Sequence, residues 1–110
     1  LEYAEEAGIN PEKIIIDPGI GFGKGASDNL KILRNLEAFR IFGRPVMVGH
    51  SRKAFIGRVL GLDDPADRLE GTLALTALCA LKGASLVRVH DVKENAMALT
   101  MLAAVGEAGL

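Results

Sequence analysis

Three short apolar runs punctuate the chain, and each ends in the same way. Ile14-Ile15-Ile16 stops at Asp17-Pro18-Gly19, Val46-Met47-Val48 stops at Gly49-His50-Ser51-Arg52-Lys53, and Leu86-Val87 runs into Arg88-Val89-His90-Asp91. Continuous apolar runs of this length fit strands of a parallel sheet, covered on both faces. Polar and cationic groups at the carboxyl edge of such strands are how α/β proteins build sites. Between the runs the spacing turns helical. Leu30, Leu33, Leu36 and Phe39 share one stripe of a helix predicted over about 28–40, and Ala54 to Leu60 forms a short helix ending near Gly61. Leu69, Leu73, Thr76, Ala77 and Ala80 mark a helix to Lys82, and a last helix runs to Val105.

Punctuation residues support these boundaries. Ser27 or Asp28 can cap the first of these helices, and Asp64 followed by Pro65 gives an N-cap with proline at the first helical position. Asp91 with Glu94 three positions on resembles a capping box. Gly83 closes one helix, and Gly106 and Gly109 close the last. Leu1 to Ala7 reads as the tail of a helix stopped by Gly8. That tail, and Leu rather than Met at position 1, give the expectation of a chain cut upstream. Strand starts lie roughly 30 to 40 residues apart, as βαβ crossovers require, so the strands should be parallel and the crossovers right-handed. Three strands leave a question of cover. Either helices wrap both faces, as in a doubly wound sheet, or further chain completes a barrel of about 250 residues.

Composition narrows the class. With 110 residues, 49% hydrophobic and 25% charged, the chain fits one soluble globular domain. Thirteen basic against fourteen acidic residues give no general pull toward nucleic acid or membrane. Cys79 is the single cysteine, so a reducing, cytoplasmic compartment is expected. The most apolar window, Leu73 to Leu81, is too short to span a bilayer and is broken by Thr76.

Arg88 and His90 stand two apart and so point to one side of a strand. Such a pair either holds a phosphate or diphosphate or forms an internal ion pair with Asp17 or Asp91. Lys53, beside Ser51 and Arg52 after the Gly49 turn, could face the same ligand. Asp17 either caps its own loop or accepts two hydrogen bonds from the amidine-like edge of a heterocycle. Phe22, between Gly21 and Gly23, either lines a pocket or anchors the loop. The Gly19-x-Gly21-x-Gly23 spacing is not a dinucleotide fingerprint, and no P-loop, HExxH or GxSxG occurs. His50 reads as a neighbour of the site rather than a catalyst, and Met97, Met101 and Leu102 as core.

Taken together, Ile16-Asp17-Pro18-Gly19-Ile20-Gly21-Phe22-Gly23-Lys24, Gly49-His50-Ser51-Arg52-Lys53 and Arg88-Val89-His90-Asp91-Val92 resemble, in order and spacing, the last three strand-end motifs of the dihydropteroate synthases. The resemblance covers nearly the whole chain. It implies an α/β fold of parallel β/α units, the C-terminal three units (six to eight) of a TIM (β/α)8 barrel. It implies an enzyme of folate biosynthesis that condenses a pterin-methyl diphosphate with 4-aminobenzoate. Asp17 would bind the amino-pyrimidine edge of the pterin, and Lys53 would contact the pterin beside the aminobenzoate pocket. Arg88 would stack on the pterin and, with His90, hold the diphosphate; Lys53, Arg88 and His90 would carry the chemistry. Phe22, Gly49 and Ser51 would shape the substrate pocket. Magnesium would be bound by an asparagine in the first half of the barrel, and the full-length protein would be a homodimer. One departure is Ala54, where many relatives carry a hydroxyl residue near the aminobenzoate carboxylate; that contact would fall to backbone N–H. The resemblance also places the magnesium-binding asparagine, mobile loops and further pterin-binding Asp and Asn groups in the absent first half, so the 110 residues alone are expected to be inactive. Two other readings stay open. One is the pterin barrel of a methyltetrahydrofolate-dependent methyltransferase, against which Ser51-Arg52-Lys53 and Arg88/His90 speak. The other is a non-catalytic fragment that associates through a bare barrel face.

Overall fold

The computed structural model describes residues 15–21 and 25–107. The helix tail and turn expected before Ile14, together with Ile14, Phe22, Gly23 and Gly109, lie outside the described residues. Three parallel segments lie side by side in chain order. Ile16 bridges Val46, and β1 (Met47–Val48) pairs with β2 (Leu86–Val87), Met47 opposite Leu86 and Val48 opposite Val87. The Ile16 N–H donates to the Pro45 carbonyl and the Met47 N–H to the Ile16 carbonyl, both at 2.9 Å. The Arg88 N–H donates to the Val48 carbonyl, also at 2.9 Å. The pairing of the third run, expected to reach Val89, closes at Val87.

Register assigns the faces, because side chains alternate along a strand and paired residues share a side. Ile16, Val46, Val48 and Val87 face the helices and join one apolar cluster with Ile20, Leu33, Leu36, Phe55, Ile56 and Cys79. Ile15 and Leu86 take the other face and are 50% and 45% exposed. The helices among the described residues therefore cover one face only, not both as a doubly wound sheet would need. Cys79 is sealed in this core, where burial pushes its thiol up to about 11 and leaves it a small apolar group rather than a nucleophile.

Helix boundaries follow local hydrogen bonding. The first described helix, α1 (Ala26–Arg34), begins earlier than the sequence pattern indicated, with Gly25 rather than Ser27 or Asp28 at its N-cap. It also stops early. The Asn35 side chain donates back to the Lys31 carbonyl at 2.9 Å, the local competition that makes Asn a poor helix interior residue. Leu36–Phe42 continues as a 3₁₀ helix that still buries Leu36. A short α2 (Ala54–Leu60) ends on left-handed Gly61 at φ +72°. Asp64 caps the 3₁₀ turn Pro65–Arg68, accepting from the Ala66 N–H at 3.0 Å, and this turn leads into α3 (Leu69–Leu81). The last helix, α4 (Val92–Glu107), runs straight through Gly106. Asp91 does not form the expected capping box with Glu94, because its carboxylate is engaged by Arg52. Met97 and Met101, expected in the core, lie 63% and 66% exposed on α4. No helix among the described residues is long and apolar enough to cross a membrane.

α2, the 3₁₀ turn and α3 meet closely at two glycines. A Cβ on Gly71 would strike the Ile56 side chain, and one on Gly57 would meet the Leu62 carbonyl and come 2.7 Å from Arg68 Nε. The space at Gly57 lets the Arg68 guanidinium pass, donating to the carbonyls of Arg52 at 3.0 Å and Asp63 at 2.8 Å. Gly57→Ala is expected to lower stability by about 1–3 kcal/mol through overpacking, although alanine is favoured in a helix by up to about 1 kcal/mol. Urea denaturation measures the sign, and a stabilised variant would disprove the tight fit.

Candidate active site

The loop after β1 is built around two residues spent on internal bonds, the buried His50 and the partly exposed Arg52. Arg52 is the only non-glycine residue with positive φ among the described residues, at +54°. That conformation costs about 1–2 kcal/mol, and the backbone N–H, the carbonyl, Nε and Nη2 of the residue are held in compensation. Its N–H donates to Thr72 Oγ1 at 3.0 Å, its carbonyl accepts from Arg68, and its guanidinium chelates Asp91, Nε to Oδ2 at 3.0 Å and Nη2 to Oδ1 at 2.5 Å. The hydrogen bonds from Arg52 hold the Asp91 carboxyl below the usual carboxylate range, and Asp91 in turn raises the Arg52 guanidinium.

His50 is fully buried. Its Nε2 lies 2.7 Å from Thr76 Oγ1 and 3.2 Å from the Thr72 carbonyl. Thr76 donates its hydroxyl hydrogen to Asn95 Oδ1 at 2.6 Å, so it accepts from His50 Nε2–H. Asn95 then donates from Nδ2 to the Asp91 carbonyl at 2.8 Å. Hydrogen bonds thus run in one direction from the β1 loop, through α3 and α4, to the β2 loop. His50 Nδ1 has no partner in hydrogen-bond geometry. Burial pushes the ring's pKa down, and this outweighs the pull of the Thr72 and Val48 carbonyls toward protonation. A neutral, sealed imidazole is a structural group, not an acid–base catalyst.

The outward-pointing residues behave differently. Gly49, Ser51, Lys53, Arg88, Val89 and His90 line one open pocket of about 390 Å³. A smaller hollow of about 180 Å³, lined by Leu30, Phe55, Val59 and Leu75 among others, lies on the helix side and has no polar lining group. The Arg88 guanidinium lies against Gly49, where a Cβ would come 3.2 Å from Nη2. Neither internal ion pair considered for Arg88 forms: Asp91 is bound to Arg52, and Asp17 Oδ1 accepts from the Gly19 N–H at 2.8 Å. The Lys53 stem crosses Gly21, whose φ is +85° and whose Cβ would stand 2.8 Å from Lys53 Cδ. Ser51 Oγ lies 2.8 Å from His90 Nδ1 and accepts the His90 N–H at 3.0 Å. Two cations and an imidazole line this pocket without an acidic side chain, an arrangement suited to an anion.

Asp17 follows Ile16 in the alternation and so takes the same sheet face as Arg88, at the same carboxyl edge. It is exposed and does not line the 390 Å³ pocket. Its loop is tied down by Asn29, a buried residue that the sequence pattern did not single out. Asn29 accepts from the Gly21 N–H at 2.8 Å and donates to the Gly25 carbonyl at 3.1 Å. Thr72, Thr76 and Asn95 were missed as well. Their common signal was a small polar residue at helical spacing among buried positions: Asn29 with Leu33 and Leu36, Thr72 and Thr76 with Cys79.

Comparison with known proteins shows the family. The pterin binding enzyme family matches residues 1–90. The chain belongs to this family. It is 49% identical over 105 residues to dihydropteroate synthase of Bacillus subtilis, covering 96% of this chain and 36% of that protein. It is 46% identical over 104 residues to the Escherichia coli K12 enzyme, covering 94% of this chain and 36% of the relative. The chain thus spans about a third of the length of these relatives. Dihydropteroate synthase from Xanthomonas albilineans in complex with 7,8-dihydropteroate superposes with a TM-score of 0.93 at 44% identity, over 96% of this chain and 40% of that one. The family member therefore has its relatives' fold over this segment, and Lys53, Arg88 and His90 meet within it.

Two outcomes follow from the buried relay. Thr76→Val leaves Asn95 Oδ1 without its donor and is expected to cost about 1–3 kcal/mol in urea denaturation; an unchanged midpoint would show that the relay contributes nothing. Because the folded-state pKa of His50 is lowered, the unfolded chain takes up this proton first. Stability should be full above about pH 6.5 and fall as pH drops below that value. Comparing pH-dependent denaturation with His50→Gln, which should flatten this slope, checks the assignment.

Proposed function

We propose that the chain forms β/α units six to eight at the carboxyl-terminal end of a (β/α)8 barrel and supplies part of the active site of a dihydropteroate synthase. The observation that carries this reading is the pocket of Gly49, Ser51, Lys53, Arg88, Val89 and His90, with an Arg88 guanidinium that meets no carboxylate among the described residues. The structural relative described with 4-aminobenzoic acid, again 44% identical with a TM-score of 0.93, supports the second substrate.

In this reading Arg88 stacks on the pterin and, with His90, holds the diphosphate of 6-hydroxymethyl-7,8-dihydropterin diphosphate. Asp17 receives the amino-pyrimidine edge, its orientation fixed through Gly19 N–H. Lys53 lies between the pterin and aminobenzoate positions, and Phe22, Gly49 and Ser51 shape the pocket. The C–O bond from the pterin methylene to diphosphate breaks, with the electron pair leaving on diphosphate. The amine of 4-aminobenzoate then bonds to the methylene carbon and loses a proton, giving 7,8-dihydropteroate. Developing negative charge on the leaving group is what the cations stabilise, and no protein nucleophile is required. Magnesium, when bound, neutralises diphosphate. Its ligand is proposed to be an asparagine in the first half of the barrel, and no step is derived through it. The whole enzyme is proposed to be a cytoplasmic homodimer.

The test replaces the matched segment of the Bacillus subtilis enzyme with this chain. The chimera is expected to form dihydropteroate from both substrates with release of diphosphate, and the 110-residue chain alone to give no turnover. Arg88→Ala and Lys53→Ala should each lower kcat/KM by about 10²–10³. A folded chimera that binds pterin yet releases no diphosphate would favour a methyltransferase-type pterin site and end this reading.

A further inference from the structure

The geometry points to a positioning role for Ser51: its hydroxyl fixes the His90 ring so that Nε2 carries a hydrogen toward the pocket whether the ring is neutral or charged. The anion that receives this hydrogen bond rests on the proposed function; the state of the ring does not.

Ser51 is buried, at 5% exposure, and spans the two loops. One lone pair of its Oγ accepts the His90 backbone N–H at 3.0 Å, and the same oxygen lies 2.8 Å from His90 Nδ1. A neutral imidazole has two ways to complete this contact. If Nδ1 carries the hydrogen, Oγ accepts twice and its own hydrogen needs a third partner. No other acceptor contacts Ser51 Oγ among the described residues. A buried hydroxyl hydrogen left unpaired is costly. If the hydroxyl instead donates to Nδ1, every group is satisfied and the ring hydrogen sits on Nε2. In the charged ring Nδ1–H donates to Oγ and displaces the Ser51 hydrogen from this contact, while Nε2–H stays. The donor facing the ligand is therefore constant, and only the net charge varies.

The loops are in place to make this contact firm. The adjacent Arg52–Asp91 chelate joins the residues next to Ser51 and His90. His90 lines the same pocket as Arg88, so Nε2–H and the guanidinium would approach one anion together.

The experiment uses the Bacillus subtilis chimera, with this chain as its matched segment, labelled with ¹⁵N-histidine so that His90 is read in the assembled site. Long-range proton–nitrogen correlation at about pH 9, where imidazoles are neutral, reads the tautomer, and His90→Gln assigns the signals. Wild type is expected to show His90 as Nε2–H, Ser51→Thr to keep it, and Ser51→Ala to mix in Nδ1–H. Inorganic diphosphate should bind about tenfold more weakly to Ser51→Ala than to wild type, the loss of an oriented hydrogen bond to a charged ligand. An Nδ1–H ring in wild type, or an unchanged tautomer in Ser51→Ala, overturns the proposal. Should Ser51→Ala fail to fold, the wild-type and Ser51→Thr tautomers still decide it. Diphosphate that does not bind a chain whose His90 is Nε2–H would count against the proposed function and leave the role of Ser51 standing.

Discussion

A hydrogen bond made inside the protein holds the loop that carries Ser51 and Lys53. His50 is shut away from solvent, and its Nε2–H must find acceptors or forfeit the hydration it left behind. Thr76 and the Thr72 carbonyl meet that need, and Asn95 and the Asp91 carbonyl complete the chain of donors. Because Thr76 and Asn95 each donate as well as accept, the loops after β1 and β2 are placed relative to each other through two helices rather than by direct packing alone. The left-handed Arg52, bonded to Thr72, Arg68 and Asp91, adds a second tie of the same kind.

This anchoring divides the β1 loop by direction. His50 points toward the helices and Arg52 reaches Asp91 of the neighbouring loop, and both are spent on structure. Gly49, Ser51 and Lys53 point to the open rim, where they meet Arg88 and His90. The division continues the alternation of the strand itself: Val46 and Val48 belong to the helix-side core, while Ile15 and Leu86 remain on the uncovered side. An arginine tolerates that uncovered side because it reaches a site open to solvent and ligand; within the helix-side core the same charge would be costly without a partner.

Much of the frame was legible before any coordinates. The parallel order follows from the crossover spacing, and the Gly61 stop and the Asp64-Pro65 start depend on residues close in sequence and stand where local chemistry put them. So does the reading of His50 as a neighbour rather than a catalyst. What failed were local signals overruled from a distance. Asp91 looked like half of a capping box, but a guanidinium 39 residues away is a stronger partner for a carboxylate than a helix N–H. The long helical stripe from Leu30 to Phe39 was interrupted because Asn35 bonds back to Lys31. Met97 and Met101 looked like core, yet their helix turns them away from the apolar cluster.

The sequence by itself determined which residues stand at the carboxyl ends of the strands, because the apolar runs and the glycines that end them are contiguous features. That placed Asp17, Gly49, Lys53, Arg88 and His90 at one edge and carried the resemblance to the pterin-binding synthases. Only the tertiary structure decided which of the edge residues share a pocket and which are consumed as scaffold. Arg52 and Arg88 are the same residue type in similar settings, and their difference lies in a third residue, Asp91, that reaches one and not the other. Contacts between segments so far apart depend on how the loops are folded against α3 and α4, and no spacing along the chain encodes that.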